Sequence, residues 1–187
     1  MKHNLTLAAL LAALAAPAVH AIEYATVVPK QSSIGFEFRQ MGVPIKGGFK
    51  RFVTDMRFDP EKPEAARARI EIDLASIDAG SPEADEESAG KLWFNRSTYP
   101  KAVFVASQVR AIGNNRYEMR GTLTLKGKSR EMAIPVTYQP GKNNAAAFDG
   151  GFILKRLDFG IGEGMWADVA TVANEVKVNF RIAATGN

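Results

Sequence analysis

Arg67-Ala68-Arg69-Ile70-Glu71-Ile72-Asp73-Leu74 alternates charged and apolar residues without a break. In an extended chain successive side chains point to opposite faces, so Ala68, Ile70, Ile72 and Leu74 fall on one side and the four charges on the other. A helix at 3.6 residues per turn would scatter the same residues around its circumference. The octapeptide therefore reads as a strand with one face against a core and the other in water.

The same period extends in both directions. Towards the N-terminus, Ile34, Phe36 and Phe38 alternate with Gly35, Glu37 and Arg39, and Phe52, Met56 and Phe58 share a face opposite Val53, Asp55 and Arg57. Towards the C-terminus come Ala102 to Val109, Tyr117 to Leu125, Met132 to Tyr138, Phe148 to Leu154 and Glu175 to Ile182. Gly113-Asn114-Asn115, Lys126-Gly127-Lys128-Ser129 and Pro140-Gly141-Lys142-Asn143-Asn144 supply turn chemistry between these runs, and short turns join antiparallel neighbours. The expected fold is all-β: an antiparallel eight-stranded barrel, whose closure removes exposed sheet edges. Gly35, Gly47, Gly48, Gly121, Gly150 and Gly151 lie in or beside strands, where glycine marks bulges, barrel corners or a closely approaching group.

One short helix interrupts the strands, near residues 82–93. Ser81 is its N-cap, Pro82 takes the first position, and Glu83, Asp85, Glu86 and Glu87 suit the positive end of its dipole. These acids read as a solvated helix start rather than a metal or catalytic site.

Residues 1–21 read as a cleaved signal peptide: Lys2, an uncharged Leu/Ala run from Leu5 to Ala16, then Val19 and Ala21 as the small residues before the cut. That leaves 166 of the 187 residues, from Ile22, as a single domain, and takes away both histidines, His3 and His20. The chain has no cysteine. The exported protein would thus lack every Ser-His or Cys-His pair and every imidazole or thiolate metal ligand, and would hold itself by packing without disulfides. Lys2 is the leader's one charge, so 23 of the 24 Lys and Arg remain against 20 Asp and Glu. Such a balance, with the cations scattered among acids, is too small to argue for a nucleic-acid surface.

An eight-stranded barrel is either filled by its side chains or holds one small ligand, and strand faces alone fit both. Phe36, Phe38, Phe49, Phe52, Ile70 and Ile72 are candidates for the interior from the first half of the chain, with Phe104, Leu123, Leu125, Ile134 and Phe152 from the second; Phe58 and Phe180 share those faces. Phe94, Phe159 and Trp166 join them from the connections. The stretch Arg156 to Trp166 reads as a flexible apolar loop at a mouth, and its Gly160-x-Gly162-x-Gly164 lacks the spacing of a dinucleotide fingerprint.

Ser32-Ser33-Ile34-Gly35-Phe36, Gly48-Phe49 with Phe52, Ile72-Asp73-Leu74-Ala75-Ser76-Ile77-Asp78, Tyr99-Pro100 with Phe104 and Ser107, Gly121 to Gly127, and Arg156-Leu157-Asp158-Phe159-Gly160-Ile161 stand in a characteristic order. Over nearly all of residues 22–187 the chain resembles the YceI-like periplasmic proteins. The resemblance implies a lipocalin-like barrel around a long apolar tunnel that takes a polyisoprenoid chain, such as the tail of a quinone or of a polyprenyl phosphate. It implies a periplasmic location, no catalytic residues, and no cofactor beyond the bound lipid. Where that family often carries histidine, this chain reads Arg39-Gln40-Met41-Gly42 and Ser88-Ala89-Gly90-Lys91-Leu92.

Physics is consistent with such a ligand, because each CH₂ moved from water to an apolar wall gains about 0.8 kcal/mol. An anionic head group could meet Lys46, Lys50 and Arg51, or Lys126, Lys128 and Arg130, although such turn cations more commonly serve solubility. Two other functions are open at this level: a lipid-modifying enzyme using Asp73 or Asp158, and a module docking on a membrane redox protein. Both a monomer and a dimer fit the pattern.

Overall fold

The computed structural model describes residues 22–187; the expected leader, residues 1–21, lies outside the described residues. In chain order the strands are β1 Tyr24–Val27, β2 Ser33–Gln40, β3 Val43–Phe49, β4 Phe52–Arg57, β5 Arg67–Asp73, β6 Ile77–Asp78, β7 Lys101–Gly113, β8 Arg116–Leu125, β9 Lys128–Pro140, β10 Ala145–Lys155 and β11 Glu175–Gly186. Helix α1, Pro82–Ala89, lies between β6 and β7. The alternating octapeptide is β5: its Ile70 stands between Thr54 and Phe104, and its Ile72 between Phe52 and Ala102. On the outer face Glu71 meets Arg69 and Lys101, each at 2.7 Å. Lys101 first, then Arg69, holds the Glu71 carboxyl below its ordinary range.

Every pairing is antiparallel, in the order β4-β5-β7-β8-β9-β10-β11-β2-β3-β6, with β1 added against β11. The sheet curls on itself, and its margins are stitched at both ends. At one end Tyr24 and Phe58 exchange backbone hydrogen bonds of 2.8 and 3.1 Å, which ties β1 to the end of β4. At the other, the Asp73 N–H donates to the Arg51 carbonyl and the Lys50 N–H to that of Ser76. The lipocalin-like curl is thus present with eleven strands among the described residues rather than the expected eight. The three extra ones are short or disguised: β1 has four residues, β6 has two, and in β3 the residues Pro44, Gly47 and Gly48 interrupt the alternation. Gly47 pairs with Phe36, whose ring occupies the space a Cβ would need. Gly150 gives Phe180 the same room.

The helix begins as expected, with Ser81 Oγ accepting from Ala84 N–H at 3.2 Å and Pro82 in the first turn. It ends at Ala89 rather than near residue 93, because Gly90 turns to extended backbone and residues 90–99 continue as hydrogen-bonded turns.

The barrel has a filled half and a hollow half. Tyr24, Phe58, Tyr117, Tyr138 and Phe148 fill one end, with ring centroids 5.1–6.0 Å apart and several edge-to-face pairs. The hydroxyls of Tyr24 and Tyr138 share a 2.9 Å hydrogen bond. Burial, then that bond, pushes the Tyr138 hydroxyl well above its ordinary range, so it stays protonated.

The end of the hollow half is shaped by Arg156, which is 1% exposed. Its Nε donates to the Ala173 carbonyl at 3.0 Å, Nη1 to Ile161 and Gly162 at 2.8 and 2.9 Å, and Nη2 to Trp166 and Val172 at 2.7 Å each. The expected flexible loop from Arg156 to Trp166 is therefore a pinned segment of two short 3₁₀ turns, Arg156–Phe159 and Gly164–Ala167, wrapped around one guanidinium. Arg156→Met should lower the free energy of unfolding by about 3–5 kcal/mol, since it orphans several buried carbonyls at once. Chemical denaturation checks this; a loss below about 1 kcal/mol would show that the hub is not structural.

Candidate functional site

Between the aromatic plug and the Arg156 segment lies an apolar cavity of about 480 Å³. That size falls in the ~300–1,000 Å³ range of small-molecule sites. Its wall is built from the inward positions of β2 (Ile34, Phe36, Phe38), β8 (Leu123, Leu125), β10 (Phe152, Leu154) and β11 (Val176, Val178), with Phe49, Ile72 and Ala102 completing it. One end is covered by α1, through Ala84 and Ser88, by Trp93 and Phe94 beyond it, and by Ile161 and Trp166 of the pinned segment.

Nine of the fourteen residues expected to line an interior ligand site share this wall: Phe36, Phe38, Phe49, Ile72, Phe94, Leu123, Leu125, Phe152 and Trp166. The other five lie elsewhere. Phe104 and Ile134 are closed into the core, and Phe159 is 2% exposed under the pinned segment. Ile70 borders a separate void of about 60 Å³ beside the aromatic plug. Phe52 faces the open groove along the seam of the curl. The four strand residues among them obey the inward alternation, but alternation does not say at which height along the barrel a residue sits. Leu154, Val176 and Val178 line the wall and were legible as inward strand positions; Trp93 carries no period-two signal.

The polar groups of the wall are few: Gln40, Glu83, Glu87, Ser88, the two indole N–H groups and Arg156. Most are already engaged. Ser88 Oγ donates to the Asp85 carbonyl at 2.7 Å, and Trp166 Nε1 donates to Glu87 Oε1 at 2.9 Å, joining α1 to the pinned segment across the cavity's end. The Arg156 guanidinium carbon lies 5.8 Å from the centre of the Trp93 ring, and Trp93 and Trp166 stand 5.6 Å apart. Trp93 Nε1 is buried without a hydrogen-bond partner among the described residues.

The two carboxylates considered for catalysis are not on this wall. Asp73 caps a turn, accepting from Ala75 N–H at 2.8 Å, and pairs with Arg51 at 2.9 Å. The Ala75 N–H first, then Arg51, holds its carboxyl low. Asp158 lies in the 3₁₀ turn Arg156–Phe159, where its backbone carbonyl accepts from Arg130. The candidate head-group cations are outside the cavity as well. Lys50 pairs with Asp78 at 2.9 Å, Arg51 with Asp73, and Lys126 with Glu163 at 2.9 Å, while Lys46 lies 4.0 Å from Glu37.

The sequence model of the YceI-like domain matches residues 26–184. A UPF0312 protein of Shewanella oneidensis is 31% identical over 169 residues, 86% of this chain and 88% of that protein. The crystal structure of Burkholderia cenocepacia BcnA superposes with a TM-score of 0.82 at 39% identity, covering 85% of this chain and 99% of that one. A polyisoprenoid-binding domain from Saccharophagus degradans has the same fold, with a TM-score of 0.69 at 16% identity over 90% of this chain and all of that one. By the extent of the domain match and by these relatives, the chain belongs to the YceI-like family.

Proposed function

We propose that this protein is an exported, periplasmic binding protein that carries a long-chain isoprenoid lipid, of quinone or polyprenyl type, in the cavity between the aromatic plug and the Arg156 segment. The observation that carries the reading is the division of the barrel: one half filled by aromatic side chains but for a void of about 60 Å³, the other left as an apolar hollow of about 480 Å³. Packing rules alone would fill both halves, since protein interiors reach the density of organic crystals. A branched, flexible hydrocarbon suits a wall of Leu, Ile, Val and Phe side chains that offers area and few directed contacts. The S. degradans domain, described as binding polyisoprenoid, shows this fold associated with such a ligand in another protein. Binding rather than catalysis is supported by the polar groups of the wall, where Ser88, Glu87 and Arg156 are committed to structural hydrogen bonds. Export rests on the leader-like residues 1–21.

Organic extraction of the purified protein should release a lipid whose mass corresponds to a run of isoprene units, detected by mass spectrometry. Both tryptophans of the chain lie on the cavity wall, so added farnesol or a short-chain quinone should change the intrinsic fluorescence saturably. Protein that yields no lipid and shows no such response would sink the proposal.

Ala102 lines the cavity beside Ile72 and is small enough to enlarge into it. Ala102→Phe should weaken binding of the same probes at least about tenfold while costing under about 1.5 kcal/mol of stability, because the ring enters existing space. Titration paired with thermal melting checks both halves. Undiminished binding by a folded variant would place the ligand elsewhere.

A further inference from the structure

The ionised groups around the cavity are unevenly deployed, and this bears on which end group an isoprenoid could carry. Three charged residues line it: Glu83, Glu87 and Arg156. Arg156 spends its N–H groups on five backbone carbonyls, so it has no donor left for a ligand. Glu83 and Glu87 lie on the exposed face of α1, four residues apart and hence on adjacent turns. The backbone N–H of Glu83, then the Ser81 hydroxyl, keeps the Glu83 carboxyl below its ordinary range and therefore ionised at neutral pH.

Two cations near this end are already occupied. Lys126 is engaged by Glu163 and the Gly160 carbonyl, and Arg39 donates to the Gly42 carbonyl at 3.0 Å. The start of α1 is no anion site either, since Ser81 Oγ already takes the Ala84 N–H and Glu83 sits in the first turn. What the wall does offer without a charge is the side-chain amide of Gln40 and the unpartnered N–H of Trp93.

We infer that the cavity selects isoprenoids with an uncharged, oxygen-bearing end group, such as a prenol or a quinone ring, and rejects prenyl phosphates and carboxylates. An anionic end group would come to rest near two carboxylates, while Arg156, the one cation among the described residues of the wall, is spent on backbone carbonyls; like charges brought close repel, most strongly at low ionic strength. A carbonyl or hydroxyl oxygen has an amide and an indole N–H to accept from. The inference deepens the isoprenoid-carrier reading and rests on it.

The test uses three probes that share one tail: farnesol, farnesyl diphosphate and farnesylamine, titrated into the intact protein at low ionic strength and followed by tryptophan fluorescence. Farnesol should bind at least about tenfold more tightly than the diphosphate, and the amine should not show the diphosphate's penalty. The gap should contract in the Glu83→Gln, Glu87→Gln double variant, in which glutamine at 87 keeps an acceptor for the Trp166 N–H, and it should contract at high salt in the native protein. Diphosphate binding equal to or tighter than farnesol in the native protein overturns the selectivity and leaves the carrier reading standing. Failure of all three probes to bind overturns the carrier reading and the selectivity with it.

Discussion

A cation sealed inside this protein, with no carboxylate against it among the described residues, holds the site together. Burial lowers the pKa of Arg156, yet a guanidinium remains protonated under all ordinary conditions, so its charge must be met by dipoles. The carbonyls of residues 161, 162, 166, 172 and 173 meet it, all drawn from the connection between β10 and β11. A connection of that length would ordinarily be either a mobile loop or an element in its own right. Here the fork geometry of arginine replaces a ladder. It satisfies carbonyls that a turn-rich segment cannot satisfy internally, and it sets Ile161 and Trp166 against the end of the cavity. Lysine, with a single ammonium centre, could not reach five acceptors spread over that segment.

That hub also explains how a hollow can sit beside a packed core without collapsing. The filled half is held by aromatic residues that pack edge to face and by the hydrogen bond between the Tyr24 and Tyr138 hydroxyls. The hollow half cannot borrow that packing, so its end is carried by hydrogen bonds: the Arg156 fan on one side and the Trp166–Glu87 contact on the other. Polar networks keep a fixed shape without filling volume, and a cavity needs that property. Trp93, wedged between Trp166 and the Arg156 guanidinium, adds aromatic contact at the same corner.

The barrel was legible in the sequence because half-buried strands announce themselves by period two. Each of the eight expected strands overlaps an observed one, and the three that escaped are short or carry the proline and glycines of β3. The helix start was legible from Ser81 and Pro82, whereas its end was hidden by Gly90, which closes the helix in an extended rather than a left-handed conformation. The site was half legible. Inward-facing residues could be named, but Phe104 and Leu123 look alike in sequence although one is closed into the core and the other faces the cavity. Height along a barrel depends on shear and register, which are properties of pairings between distant strands. Arg156 was quoted for its family likeness alone, since nothing local marks an arginine that will be buried by residues up to seventeen positions downstream.

The cost of the hollow argues for its use. Removing packing from a core costs about 24 cal/mol for each Å³ of space left behind. Applied to about 480 Å³, that coefficient gives on the order of 10 kcal/mol, an upper figure because the cavity opens towards solvent, and comparable with the whole stability of a typical domain. Larger apolar residues at Ala102 or Val178 would occupy part of that space without breaking the strand pattern. The barrel instead keeps small side chains there and spends its hydrogen-bonding groups on holding the end in shape. Folding stability alone gives no reason for that arrangement. A ligand that fills the hollow does, because its binding returns to the native state the contacts that the empty wall forgoes, in proportion to how far its concentration exceeds its Kd.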